Sequence, residues 1–262
     1  MISLERRDGR PLRIGHRGAA ALAPENTLAS FRAAVDAAVD LVEFDVLDLH
    51  GGEVVVAHSD DLHEVSHGAA RGTVRDRSLA ELREICPDLP TLDEALAFFA
   101  GQAPDVGVHV DLKSEGAVTE LAAALDRFGL GERTLVSSFD AAALRRLGVL
   151  APGVRVGVSF PEDRTGIQAR RGSAPLVWAG LGALRVVTPL LVGRLLAGAN
   201  ATALVAHHVL LGPAAVRAAH ARSAAVVAWT VRDPRDLARM DGAGVDAVVA
   251  DDPTIFVSTL MA

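Results

Sequence analysis

The 262-residue chain has no tyrosine, two tryptophans, eight phenylalanines and a single cysteine. Its basic residues never run more than two together, and its formal net charge is −7 with a pI near 5.7. So few aromatics and so little clustered positive charge leave nothing to stack on bases or follow a phosphate backbone. Nucleic-acid binding is therefore not expected. One cysteine, Cys86, excludes an intramolecular disulfide, and no histidine adjoins it as a nucleophile's partner would. The opening residues, Met1 to Arg13, are charged and lack an apolar core of the kind a secretory signal needs, so a cytoplasmic protein is the expectation. The most apolar stretch, Pro175 to Ala199, is interrupted by Arg185 and Arg194. That leaves no clear transmembrane segment. It reads as a buried barrel helix with a flanking loop, or as a lip that touches lipid.

What is present is ample apolar material. Half the residues are hydrophobic and 23% are charged, enough for a sizeable core in one domain spanning 1–262. No linker, repeat or low-complexity tract divides it. Short β-branched runs alternate with Ala/Leu-rich stretches. Strands are expected at Leu12–Gly15, Leu41–Val46, Val106–Leu112, Thr134–Ser137, Val154–Ser159, Thr202–Ala206, Ala225–Thr230 and Ala247–Ala250. Helices are expected near Thr27–Ala38, Thr91–Ala100, Gly116–Phe128, Ala141–Val149, Pro175–Ala197, Pro213–Ala221, Pro234–Gly242 and Pro253–Met261. Continuous apolar strands imply a parallel sheet covered on both faces. Eight such units in a chain of this length imply an α/β fold, a single (β/α)8 TIM barrel, rather than a doubly wound sheet. No Gly-x-Gly-x-x-Gly turn follows the first strand, which argues against a dinucleotide site. Between the second and third strands the connection is too long for a simple loop. Gly51-Gly52 followed by Glu53–Ala57 reads as a β-hairpin insertion folded across one end of the barrel.

In such barrels the active site lies at the C-terminal strand ends. There the first strand delivers His16 and Arg17, the second Glu43 and Asp45, and the third Asp111 and Lys113, while His58 closes the hairpin. The i, i+2 spacings point each pair to one side of its strand. Three carboxylates form an oxygen-rich site for one hard divalent cation, Mg²⁺ or Ca²⁺; nothing has the spacing of a zinc site. Arg17 and Lys113 beside it can neutralise a phosphate, and His16 and His58 titrate near neutrality as acid and base. The parts fit cleavage of a small-molecule phosphodiester. Phe139 and Trp229, at later strand ends, can line the pocket. Asn26 is a candidate cap for the first helix, and His50, His63, His67, His109 and His220 read as loop or surface residues.

His16-Arg17-Gly18, Pro24-Glu25-Asn26-Thr27, Glu43-x-Asp45 and His58 together resemble the glycerophosphodiester phosphodiesterases, phosphodiesterase barrels like those of the phosphatidylinositol phospholipases C. Pro90-Thr91-Leu92-Asp93-Glu94-Ala95-Leu96, Ser137-Ser138-Phe139, Trp229-Thr230-Val231 and Asp251-Asp252-Pro253 extend the likeness from Ile14 to about Phe256. The resemblance implies a (β/α)8 barrel that hydrolyses glycerophosphodiesters to sn-glycerol 3-phosphate and an alcohol. It implies a divalent cation on Glu43, Asp45 and a third carboxylate, with His16 and His58 as the acid/base pair. The chain departs from the family pattern at Asp111, where Glu is usual, at Ser59 for Asp, at Arg232 for Asn, and at Ala250 for Thr. A lysophospholipase D with the same mechanism, and a non-catalytic phosphate-binding barrel, are the alternatives. The oligomeric state is not indicated.

Overall fold

The computed structural model describes residues 1–162 and 174–259. Strand β1 (Leu12–Gly15) leads through α1 (Leu28–Asp36) to β2 (Leu41–Asp48). An excursion follows, made of β3 (Val54–Val55), α2 (Leu62–Val65) and α3 (Leu79–Ile85). Alternation then resumes with α4 (Leu92–Gly101), β4 (Gly107–Leu112), α5 (Val118–Arg127), β5 (Thr134–Ser138), α6 (Ala141–Leu150) and β6 (Arg155–Phe160). The chain continues through α7 (Ala174–Ala199), β7 (Ala203–His207), α8 (Pro213–His220), β8 (Ala225–Val231), α9 (Pro234–Ala243) and β9 (Ala247–Ala250). Pairing runs β1, β9, β8, β7, β6, β5, β4, β2, all parallel, and β1 pairs again with β2, so the sheet closes. With helices outside that ring, the fold is the (β/α)8 barrel expected from the alternation.

The hairpin is there too. Strand β3 lies antiparallel on the far end of β2, pairing Val55 with Leu47, after a turn in which Gly52 takes φ +98°. Helix starts are set by side chains that accept from otherwise unpaired N–H groups, each worth about 1 kcal/mol. Thr27, Ser78 and Thr91 do so within reciprocal capping boxes, and Asp140 and Asp233 do so alone. Thr27, rather than Asn26, is thus the cap of α1, and Asn26 is occupied elsewhere.

Two other expectations change. Pro253–Thr259 forms 3₁₀ turns, not a closing α-helix, in keeping with its β-branched residues; the end of the expected segment, 260–261, lies outside the described residues. Helix α7 is not simply buried. Leu181, Thr188, Val192 and Leu196 face the barrel, but Val186 and Leu190 are 77% and 83% exposed. A helix apolar on both sides gives no polar stripe from which its outer face could be read. By length and composition Gly180–Ala199 is the one helix among the described residues able to cross a membrane, and 22% of it is buried.

The core has three parts. Leu12, Ile14, Leu41, Leu135, Val205 and Val227 fill the barrel interior, where Leu4 also packs. A larger layer lies between strands and helices and includes the mutually packed rings of Phe31, Phe44, Phe98 and Phe99. The excursion keeps a small core of its own around Leu49, Val55, Leu62, Val74 and Leu82.

At the end of the barrel opposite the strand C-termini, Asp40 is 4% exposed and ties the N-terminal segment down. It accepts from Arg7 at 2.6 Å, from Arg10 at 2.7 Å and from the Arg13 backbone N–H at 2.8 Å. Burial alone would raise its pKa, but Arg10, the Arg13 amide and Arg7 outweigh this and hold it below 3.8. Its stabilisation is therefore present above pH 3.8 and is lost as pH falls through the depressed value. Asp40→Asn is expected to cost about 2–4 kcal/mol at pH 7, read from the urea midpoint, with turnover unchanged. The gap between variant and wild type should close in acid. A gap that persists undiminished to the acid unfolding limit of the wild type would assign the effect to shape rather than charge.

Candidate active site

Strand register brings the polar groups together. Asp45 of β2 stands beside Asp111 of β4, which stands beside Ser137 of β5; two residues earlier, Glu43 stands beside His109. Because alternate residues of a strand share a face, both rows point inward at the C-terminal mouth. A cavity of about 330 Å³ opens there. His16, Arg17, Glu43, Asp45, His58, Asp111, Lys113, Phe139 and Trp229 all line it, so every site residue named from sequence reaches one space.

The first loop is built around Glu43. Arg17 and Gly18 take left-handed φ of +50° and +87°, and the turn lets Arg17 N–H donate to Glu43 Oε2 at 2.7 Å. A Cβ on Gly18 would sit 2.3 Å from Ser30 Oγ, so only glycine fits. Arg17 itself bears the strain of about 1–3 kcal/mol that such a conformation costs. Its carbonyl is held by Ser30 Oγ at 2.9 Å and Asn26 N–H at 3.0 Å. Asn26 also exchanges two bonds with Asp45, donating to Oδ2 at 2.8 Å and accepting from the Asp45 N–H at 3.2 Å. The Arg17 guanidinium meets Glu25 at 2.7 Å and lies 3.3 Å from Asp45.

Glu43, Asp45 and Asp111 each offer an oxygen within 4.8 Å of the others. Lys113 Nζ spans two of them, 2.7 Å from Asp45 and in contact with Asp111. Burial opposes the lysine's charge, but Asp111 and Asp45 prevail and hold its pKa above the ordinary value. For Asp45, burial is likewise outweighed, here by Lys113 and Arg17, and its carboxyl is held well below the usual range. Glu43 receives less help. Burial and the neighbouring Asp45 push its pKa up to about 7. The cluster is short of positive charge, and its donors are all oxygen. That suits a hard divalent cation.

Two imidazoles face this cluster. His16 Nδ1 is bonded to Asp251, and its Nε2 lies 3.9 Å from Glu43. Burial works to discharge His16, but Glu43 and Asp251 overcome it and its pKa is raised. His58 sits just beyond β3, with Nδ1 3.0 Å from Glu64 Oε1. Burial lowers its pKa and Lys113 adds to this against the pull of Asp45. In each ring a carboxylate on Nδ1 leaves Nε2 for the cavity.

Sequence reasoning missed several of these partners. Asp251, at the end of β9, had no role assigned; it also accepts from Arg232 at 3.0 Å, so the departure at Arg232 bears on His16. Glu64 replaces the support that Ser59 cannot give, and it lies on α2, an element too short to show a helical period. His109 is a correction: it is 2% exposed and lines the cavity instead of the surface. The signal was available, since His109 and Asp111 share the spacing that paired Glu43 with Asp45. His207 packs on Trp229 with centroids 5.2 Å apart, and His208 bonds Arg239 at 2.8 Å; neither lines the cavity.

Comparison with known proteins shows the family. The model of the glycerophosphoryl diester phosphodiesterase family matches residues 16–255. A glycerophosphodiester phosphodiesterase of Caldanaerobacter subterraneus is 26% identical over 94% of this chain and 96% of its own. A probable glycerophosphodiester phosphodiesterase of Mycobacterium tuberculosis is 34% identical over 71% of this chain and 78% of its own. Among solved structures, an Oleispira antarctica phosphodiesterase in complex with the product sn-glycerol-3-phosphate superposes with a TM-score of 0.71. It is 25% identical, covering 97% of this chain and 98% of that one.

Proposed function

The chain belongs to the glycerophosphoryl diester phosphodiesterase family and is a glycerophosphodiester phosphodiesterase, and we propose that it works with a divalent cation and a histidine pair. Glu43, Asp45 and Asp111 would hold the cation, Mg²⁺ or Ca²⁺, and His16 and His58 would be acid and base. What supports this is three convergent carboxylates within 4.8 Å, with two carboxylate-braced imidazoles on the same cavity. A cation held by these three carboxylates would supply Lewis-acid polarisation of the phosphate.

The chain's own groups do the rest. His16, favoured in its protonated form, donates from Nε2 to the departing alcohol oxygen; His58, favoured neutral, accepts the proton of the attacking oxygen. Asp251 and Glu64 fix the two rings. Arg17 and Lys113 bring positive charge to the phosphate as negative charge grows on it. Phe139 and Trp229, edge to face at 6.4 Å, give the cavity an apolar wall against which substrate can rest. Water is added across one P–O bond, and sn-glycerol 3-phosphate, the product bound in the Oleispira relative, leaves with an alcohol. Every position needed for turnover is filled by a competent group, so the non-catalytic alternative finds no support.

A specific observation favours a second substrate reading. A crevice of about 530 Å³ between α6 and α7 shares Phe139, Ser159 and Pro161 with the catalytic cavity and is lined by Leu184, Leu191 and Leu195. An acyl chain there would make the enzyme a lysophospholipase D. The test is release of glycerol 3-phosphate from glycerophosphocholine and glycerophosphoethanolamine in Mg²⁺ and in Ca²⁺, against lysophosphatidate release from long-chain lysophosphatidylcholine. The water-soluble diesters are expected to react faster. A kcat/KM at least tenfold higher for the lysolipid would reverse the assignment, and no turnover of any diester in either metal would sink both.

A further inference from the structure

Behind the carboxylates runs a chain of contacts to which the reaction gives no role. Asp111 Oδ1 accepts from Ser137 Oγ at 2.7 Å, and Ser137 Oγ lies 2.9 Å from His109 Nε2. Ser137 has one proton, and a carboxylate can only accept, so that proton points to Asp111. His109 must then donate from Nε2, which makes Nδ1 the bare acceptor of the ring. That atom is buried and has no hydrogen-bond partner among the described residues. An unpaired polar atom in such a place costs about 1–3 kcal/mol, and an apolar side chain would avoid it. The histidine has a task other than filling space.

That task is legible at Asp111. Its side chain is one methylene shorter than that of Glu43 in the same cluster, and Lys113 draws on its Oδ2. Ser137, in strand register with it, holds Oδ1 from the other side. With one oxygen fixed, the carboxylate plane is fixed, and Asp111 stays within the 4.8 Å cluster. We propose that His109 and Ser137 are positioning residues that brace the short Asp111 side chain as the third cation ligand. The proposal rests on the reading of Glu43, Asp45 and Asp111 as the cation site. Hydrogen-bonded supports of this kind are commonly worth 10–100-fold in metal affinity.

The experiment is calorimetric titration of the metal-free protein with Mg²⁺ and with Ca²⁺, without substrate, so turnover plays no part. Ser137→Ala is expected to weaken binding about 10–100-fold. His109→Leu should do so by a similar factor, while His109→Gln, whose Nε2 can still donate, should recover most of it. Paired with Asp111→Glu, Ser137→Ala should cost less than about threefold, because the longer arm no longer needs the brace. Equal losses in both backgrounds would show a general structural effect and overturn the proposal. So would wild-type affinity in Ser137→Ala, or a ¹⁵N signature placing the His109 proton on Nδ1. If Ser137→Ala fails to fold, the His109→Leu and His109→Gln pair decides the matter alone. Wild-type protein that binds neither ion, or that binds undiminished after Asp111→Asn, overturns the ligand reading and the brace with it. Normal wild-type binding untouched by Ser137→Ala overturns the brace alone.

Discussion

His16→Ala and His58→Ala are each expected to lower kcat by about 10²–10⁴-fold with the fold intact. In the proposed mechanism the two rings act on the two ends of one proton transfer sequence, so the double variant should fall little further than the worse single one. Near-wild-type turnover in either variant would remove that residue from the acid/base pair. The pH profile separates their roles. A base must be neutral, and His58 is held below the ordinary histidine value, so its loss of activity appears on the acid side. An acid must be protonated, and His16 is held above that value by Glu43 and Asp251 against burial, so its loss appears on the alkaline side. The result is a plateau around neutrality. Asp251→Asn removes one of the two charges that support the His16 imidazolium, and should draw the alkaline limb to lower pH while leaving the acid limb in place. Movement of the acid limb instead would exchange the two roles.

Chelation is expected to abolish turnover, with recovery on adding back Mg²⁺ or Ca²⁺ and none in Glu43→Gln or Asp45→Asn. These two variants should differ in stability. Asp45 offsets Lys113 at 2.7 Å and Arg17 at 3.3 Å, so Asp45→Asn leaves buried cations short of a partner and should destabilise by about 3–5 kcal/mol. Glu43 is the reverse. Its pKa of about 7 in the folded, metal-free protein lies above the value of 4.5 it has unfolded. The charged form is therefore disfavoured by folding, and metal-free stability should fall as pH rises from 4.5 through 7. Glu43→Gln should flatten that slope, and a bound divalent ion should reverse it by mass action and by charge. A metal-free protein with equal melting temperatures at pH 5.5 and pH 8 would contradict the crowding of these carboxylates.

How much of this was legible in the chain follows from which interactions are local. Strand and helix alternation depends on short-range periodicity, and the barrel and the hairpin at Gly51-Gly52 were readable from it. Glu43 with Asp45, and Asp111 with Lys113, were readable because two-residue spacing fixes a face. The second sphere was not. Asp251 meets His16 across 235 positions of sequence, and nothing in either neighbourhood encodes that contact. Thr27 beat Asn26 as the helix cap because Asn26, in the turn before α1, is bound to Asp45 on β2, a competition invisible before closure of the barrel. Helix α7 hid its outer face because Arg185 and Arg194 are too few to mark a polar stripe on an otherwise apolar helix. His109 is different in kind, since its place inside an expected strand already implied a buried ring.

The excursion after β2 carries His58 and Glu64; Val54 and Val56 of β3 and its flank pack into the larger layer, while Leu62, Val74 and Leu82 form a small cluster with Leu47 and Leu49. The proposed acid and base thus stand on cores of unequal size, and segments with few buried apolar contacts open at lower free energy than the global core. Heating should release the His58 side of the site while the ring of strands is still closed. Activity is then expected to be lost at a lower temperature than the fold, which comparison of the activity midpoint with the melting temperature checks. The reversible gap between them is set by a handful of residues such as Leu62, Val74 and Leu82, none of which touches the substrate cavity.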